Sequence, residues 1–198
     1  MKYTNLKRIS VFCGSSLGND VSIVNTAKEL GRILAINGIE LIYGGADVGL
    51  MSVIANSALE AGGEVTGIIP HYFITGEIAH RGLTNLISVD SLQERKSKMA
   101  EMSDGFISLP GGYGTMDELF EVLTWCQLGI YKKPSAILNL NGYYDGLMRQ
   151  IGRMTETELL KSENRDMVIF ACSPEEALDR MNSWEAPKVS KWIHSKNQ

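Results

Sequence analysis

An α/β fold on a doubly wound, Rossmann-like parallel sheet is what three features of this sequence predict. Short apolar runs without alternation recur along the chain, segments of helical period separate them, and glycine-rich loops follow several of the runs. An unalternated apolar strand belongs to a sheet buried on both faces. Regular strand–helix succession supplies the helices that cover it. In such sheets ligands bind outside the carboxyl ends of the strands.

The elements follow in order. RISVFCG (8–14) is a short apolar run ending in glycine, a strand by length and flanks. Residues 19–37 carry Val24, Ala27, Leu30, Ile33 and Leu34 near helical spacing. IELIYGG (39–45) is a second strand, and 49–63 a second helix closed by a glycine pair. EVTGIIP (64–70) is a third strand, while 71–85 shows neither period and reads as a long loop. NLISV (85–89) is a strand, 91–103 a helix and GFISLP (105–110) a strand, followed by a helix from Thr115 to about Gly129. PSAILNL (134–140), a helix near 143–154, MVIFA (167–171) and a helix near 174–184 complete the pattern. No repeat or low-complexity linker interrupts it. A chain of 198 residues, 44% hydrophobic, fits one domain spanning 1–198.

Composition narrows the function. A charged fraction of 21% argues against disorder, and a net charge of −4 without a long basic run argues against nucleic acid as the main partner. The opening MKYTNLKRISVFCG holds too short an apolar stretch for a signal peptide or membrane span, so no membrane partner is expected. Cys13, Cys126 and Cys172 lie far apart and form no CxxC, which suits a reduced, cytoplasmic protein. His71, His80 and His194 have no metal-ligand spacing, so no metal site is expected.

Three glycine loops follow strand ends: CGSSLG (13–18), YGGADVG (43–49) and PGGYGT (110–115). No Gly-Lys-Ser/Thr follows, so none is a Walker loop. Gly112-x-Gly114 begins like a dinucleotide fingerprint, but Asp117 stands where the third glycine belongs, and the second strand lacks a terminal acid for an NAD ribose. PGGYGT is therefore read as a set of free N–H groups at a helix N-terminus, suited to the phosphate of a mononucleotide or sugar phosphate.

Carboxylates beside an anion site need their own explanation. Thr115 and Glu118 form T-x-x-E, which a capping box would explain. Yet Leu119, Val122, Leu123 and Cys126 make the apolar face of this helix, leaving Glu118, Glu121 and Trp125 as a separate ridge that starts at the loop. Acids on the rim of a phosphate site suggest chemistry. On helix 91–103, Arg95 falls within the stripe of Leu92, Met99 and Met102. Either it runs its stem out to water or it is a buried guanidinium in need of an anion. Lys96 is a solvated surface lysine or a second charge on the same ligand, and Glu77 is an isolated loop acid.

Together these residues resemble the LOG family, the cytokinin riboside 5′-monophosphate phosphoribohydrolases. The family signature PGGxGTxxE is met by Pro110 to Glu118, preceded by the pair Arg95-Lys96. The resemblance runs from VFCGSS (11–16) to about NGYYDGL (141–147); Ala46 and Ser52 replace small residues usual in the second glycine loop. It implies a Rossmann-like homodimer without a cofactor, which hydrolyses the N-glycosidic bond of an adenine-type nucleoside 5′-monophosphate to free base and ribose 5-phosphate. Arg95 and Glu118 would be catalytic. Glu77, Arg95, Lys96, Gly111, Gly112, Tyr113, Gly114, Thr115, Met116, Asp117, Glu118, Glu121 and Thr124 would line the substrate. Such proteins have often been labelled lysine decarboxylases, a chemistry for which no lysine here has a fitting apolar context. The alternative is a non-catalytic nucleotide or cofactor carrier on the same fold.

Overall fold

Seven strands form one sheet in the computed structural model, which describes residues 2–75 and 78–186. They are β1 (Arg8–Phe12), β2 (Glu40–Tyr43), β3 (Val65–Pro70), β4 (Asn85–Val89), β5 (Gly105–Ser108), β6 (Ser135–Leu138) and β7 (Val168–Ala171). Their order is β4-β3-β2-β1-β5-β6-β7, with every pairing parallel. β1 pairs with β5 from Ile9 opposite Gly105 to Phe12 opposite Ser108. From this central pair the chain winds outward in opposite directions. The switch point therefore lies between β1 and β5, where the loops after the two strands part and leave a crevice.

Among the described residues seven α-helices connect the strands and an eighth follows β7: α1 (Val21–Ile36), α2 (Gly49–Glu60), α3 (His71–Thr75), α4 (Leu92–Met102), α5 (Tyr113–Gln127), α6 (Asp145–Glu156), α7 (Ser162–Arg165) and α8 (Pro174–Asn182). The pleat sends alternate side chains of β1 to opposite faces. Ile9 and Val11 join the core under α1, α2 and α8, with Leu30, Ile54 and Leu178. Phe12 joins the core under α4 and α5, with Met99, Ala100, Val122 and Phe106. α1 starts where the Asp20 carboxylate accepts the Ser22 N–H at 2.9 Å. It lies close on α2 because Gly31 has no Cβ, which would stand 2.5 Å from the Ile54 carbonyl oxygen. No helix among the described residues is long and apolar enough to cross a membrane.

Three elements differ from the sequence reading. Residues His71–Thr75, read as loop, turn helically straight out of β3. The four-residue α7 was not foreseen, being too short for any period to show. α5 begins at Tyr113 rather than Thr115, a shift of one half-turn that changes the reading of the site.

Candidate active site

Glycine-permitted backbone contacts bring the three glycine loops together at the switch point. The Gly14 N–H donates to the Pro110 carbonyl at 3.1 Å, and the Leu50 N–H to the Gly14 carbonyl at 3.1 Å. Gly49 has φ +54°, and a Cβ there would stand 2.3 Å from the Ser15 carbonyl carbon. At Gly111 a Cβ would meet Thr115 Oγ1 at 2.1 Å and Gly14 N at 2.9 Å. Between the loops is a cleft of about 250 Å³, walled by Cys13, Gly44, Met51, Arg95, Glu118 and the first turn of α5.

Gly112 is the N-cap of α5, extended and without any side-chain cap bond. The first N–H groups of a helix have no partner within it, and the macrodipole adds positive potential there. A Cβ on Gly112 or Gly114 would meet nothing within 4 Å, so the turn is open for an anion to approach its backbone. Because the helix starts early, Thr115 is a buried residue of the first turn and not its cap. The capping box is not formed. Glu118 is left with a different partner.

That partner is Arg95, whose Nη2 donates to Glu118 Oε1 at 2.6 Å across the α4–α5 seam. Both side chains are largely shielded, at 17% and 10% exposure. Arg95 therefore does not run to water, and Nε is buried without a hydrogen-bond partner among the described residues. Burial pushes the Glu118 carboxyl up from 4.5 to about 7; the Arg95 charge opposes the rise and the neighbouring Asp117 adds to it. Burial, with the Glu118 charge beside it, also raises the Cys13 thiol, keeping it protonated.

Other expected site residues are placed differently. Lys96 is neither solvated nor part of the cleft wall. Its Nζ lies 2.9 Å from Asp117 Oδ2 and 3.0 Å from Glu121 Oε2, tying α4 to α5 beside the Arg95–Glu118 pair. Burial lowers its pKa, but the hydrogen bond to Asp117 and the charge of Glu121 outweigh this and the net shift is upward. Gly111, Gly112, Tyr113, Gly114 and Thr115 form the loop and first turn, with the Tyr113 ring almost wholly exposed at 97%. Met116 packs into the core beside Leu119 and Ile137. Thr124 donates to the Phe120 carbonyl at 2.7 Å, about 16 Å along the helix from Tyr113. Glu77 lies outside the described residues.

Sequence reasoning marked the two glycine loops that hold Cys13 and Gly44 but did not name either as a site residue, and it passed over Met51. It also passed over the tyrosines of NGYYDGL. Tyr143 donates to the Gly111 carbonyl at 2.8 Å and Tyr144 to the Leu109 carbonyl at 2.7 Å. These bonds tie residues 143–144 to the end of β5 and the loop that follows it. Their signal was present only as a motif within the family resemblance.

Comparison with known proteins places this geometry. Residues 51–181 match a family model described as "Possible lysine decarboxylase". The chain is 41% identical to the cytokinin riboside 5′-monophosphate phosphoribohydrolase LOG1 of Arabidopsis thaliana, over 91% of this chain and 85% of that protein. The chain belongs to the LOG family. A second LOG relative, named "Probable cytokinin riboside 5′-monophosphate phosphoribohydrolase LOGL6", from Oryza sativa subsp. japonica, is 40% identical over 96% of this chain and 76% of its own length. Two solved structures share the LOG fold. One is the molybdenum cofactor binding protein of Rippkaea orientalis, with TM-score 0.68 and 24% identity, covering 89% of this chain and 95% of that one. The other is the Moco carrier protein of Chlamydomonas reinhardtii, with TM-score 0.65 and 21% identity, covering 87% and 93%. At that identity the likeness is one of fold. The decarboxylase description finds no support at Lys96, the lysine adjoining Arg95, which is held as a cation by two carboxylates and is no free amine for a Schiff base.

Proposed function

We propose that the protein is a phosphoribohydrolase that cleaves the N-glycosidic bond of adenine-type nucleoside 5′-monophosphates, AMP or its N6-substituted cytokinin forms, to free base and ribose 5-phosphate. The observation that carries this is a buried, arginine-paired carboxylate one helical turn below an open phosphate-type N-terminus. The phosphate is held by the free N–H groups of Gly112 to Thr115, which fixes the ribose in register. Breaking the bond between C1′ and the base nitrogen builds oxocarbenium-like charge on the sugar, and the Glu118 carboxylate is the negative group that faces it. Water then adds to C1′. One of its protons goes to Glu118 and is passed on, so that the base leaves with a hydrogen on the nitrogen that held the sugar. Arg95 keeps Glu118 oriented and favours its ionised form.

The proposal extends to a homodimer in the cytoplasm. The methionines of α4 do not support an interface: Met99 is core and Met102 packs against that core, as does Trp125 of α5, while Leu92 and Leu128 are open. Phe120 of α5, and Leu128 and Ile130 just after it, are exposed apolar residues. A carrier would hold a nucleotide without needing a buried carboxylate whose ionisation costs stability, and Glu118 therefore favours the enzyme. The test is a panel of AMP, isopentenyl-AMP, IMP and GMP assayed for free base. Adenine-type substrates should be cleaved well ahead of IMP and GMP; base release from none of them would refute the reading.

A further inference from the structure

We propose that His80 is a positioning residue for the cleft: as the Nε2–H tautomer it clasps the second glycine loop to α2, and so fixes the wall that Gly44 presents to Arg95. The function of that wall rests on the phosphoribohydrolase reading; the clasp itself does not. His80 is buried, at 7% exposure. Its N–H donates to the Gly45 carbonyl at 2.9 Å, the Asp47 N–H donates to the Ile78 carbonyl at 2.8 Å, and Ala46 pairs antiparallel with Ala79. Residues 78–80 thus run as a short ladder along the loop. The imidazole adds the side-chain fastening. The Gly82 N–H donates to Nδ1 at 3.1 Å, so the ring proton sits on Nε2 and donates to Asn56 Oδ1 at 3.0 Å.

From Asn56 the donors continue in one direction. Asn56 Nδ2 donates to Ser52 Oγ at 3.1 Å, and the Ser52 hydroxyl donates to Asp47 Oδ1 at 2.5 Å. Asp47 Oδ1 in turn lies 3.9 Å from His80 Nε2, closing a ring that begins and ends at the loop. Ser52 and Asn56 stand one turn apart on α2, the spacing that lets them link. The loop needs such a fastening because Gly45 at φ +74° and Gly49 at φ +54° make it conformationally free when untied. Its position matters to the site, because a Cβ on Gly44 would stand 3.4 Å from Arg95 Nη1. A shift of the loop is felt at the Arg95–Glu118 pair.

The test separates the two arms of the imidazole. His80→Gln keeps a donor toward Asn56, His80→Asn keeps an acceptor toward Gly82, and His80→Ala keeps neither. The readouts are kcat and KM for AMP, calorimetric Kd for ribose 5-phosphate, and hydrogen exchange at the Asp47 amide. The Asn and Ala variants should raise KM and Kd about tenfold, with kcat within about threefold, and should speed Asp47 exchange; Gln should stay near wild type. Ser52→Ala, which leaves the buried ring in place, should raise KM in the same direction even where a His80 variant fails to fold. Unchanged Kd and exchange in Ser52→Ala and His80→Asn overturn the clasp, as does equal impairment of Gln and Asn. Absence of base release by the wild-type protein would instead refute the enzymatic reading, and Kd and exchange would still decide the clasp.

Discussion

Glu118 is held between two opposed influences, burial that disfavours its charge and an arginine 2.6 Å away that favours it. The balance, about 7, has two consequences with a definite sign. In catalysis, kcat/KM should fall on the acid side with an apparent pKa near 7, since the proposed role needs the carboxylate. In stability, the folded state holds a proton between pH 4.5 and about 7 that the unfolded chain has released. That contribution is fully present below 4.5 and lost as pH rises through about 7. Glu118→Gln has no such proton to lose, so its stability relative to wild type should improve from pH 5 to pH 8, by at most about 3 kcal/mol. Thermal midpoints at the two pH values check this. The same variant should bind AMP yet lose at least ~10²-fold in kcat, because Gln can still accept from Arg95 but carries no charge for the sugar cation. Near-wild-type turnover would remove Glu118 from the chemistry. Arg95 and Glu118 were legible in the sequence as a cation in an apolar stripe and an acid on the wrong side of a phosphate loop. The His80 ring was not, since His80, Asn56, Ser52 and Asp47 are ordinary polar residues that only the fold brings together.

The decisive element is α5, and its start at Tyr113 was misread by two residues because T-x-x-E imitates a cap. Glycine took the N-cap instead, which leaves the first N–H groups unoccupied by any side chain. The loop before it depends on Gly111. Gly111→Ala would drive a Cβ into Thr115 and against Gly14 N, so it should cost about 1–3 kcal/mol and raise KM for 5′-monophosphates by about tenfold, read by chemical denaturation and steady-state kinetics. If the first turn of α5 is the phosphate site, adenosine should show kcat/KM at least ~10²-fold below AMP. Equal values for the two would remove the loop from substrate binding. Most strands and long helices were readable because their apolar periods are strong. α3 was hidden, since five residues after a strand show no period.

At the scale of the whole molecule, the sheet order explains why loops distant in sequence share one cleft. β1 and β5 are neighbours at the switch point, so residues 13–15 and 112–115 open into the same crevice, with Gly44 and Met51 beside them. Strand succession announced a doubly wound sheet, but adjacency of β1 and β5 is a property of packing that no local pattern encodes. The exposed apolar residues Phe120, Leu128 and Ile130 should be covered in solution by a second copy. Light scattering at micromolar concentration should give the dimer mass, and a monomer would contradict it. A phosphoribohydrolase breaks the nucleotide it holds, where a carrier would return it. The direct measurement is a single turnover: protein in excess over AMP, quenched and resolved by chromatography. Hydrolysis should yield adenine and ribose 5-phosphate in equal amounts, whereas AMP recovered intact from the bound state would refute it.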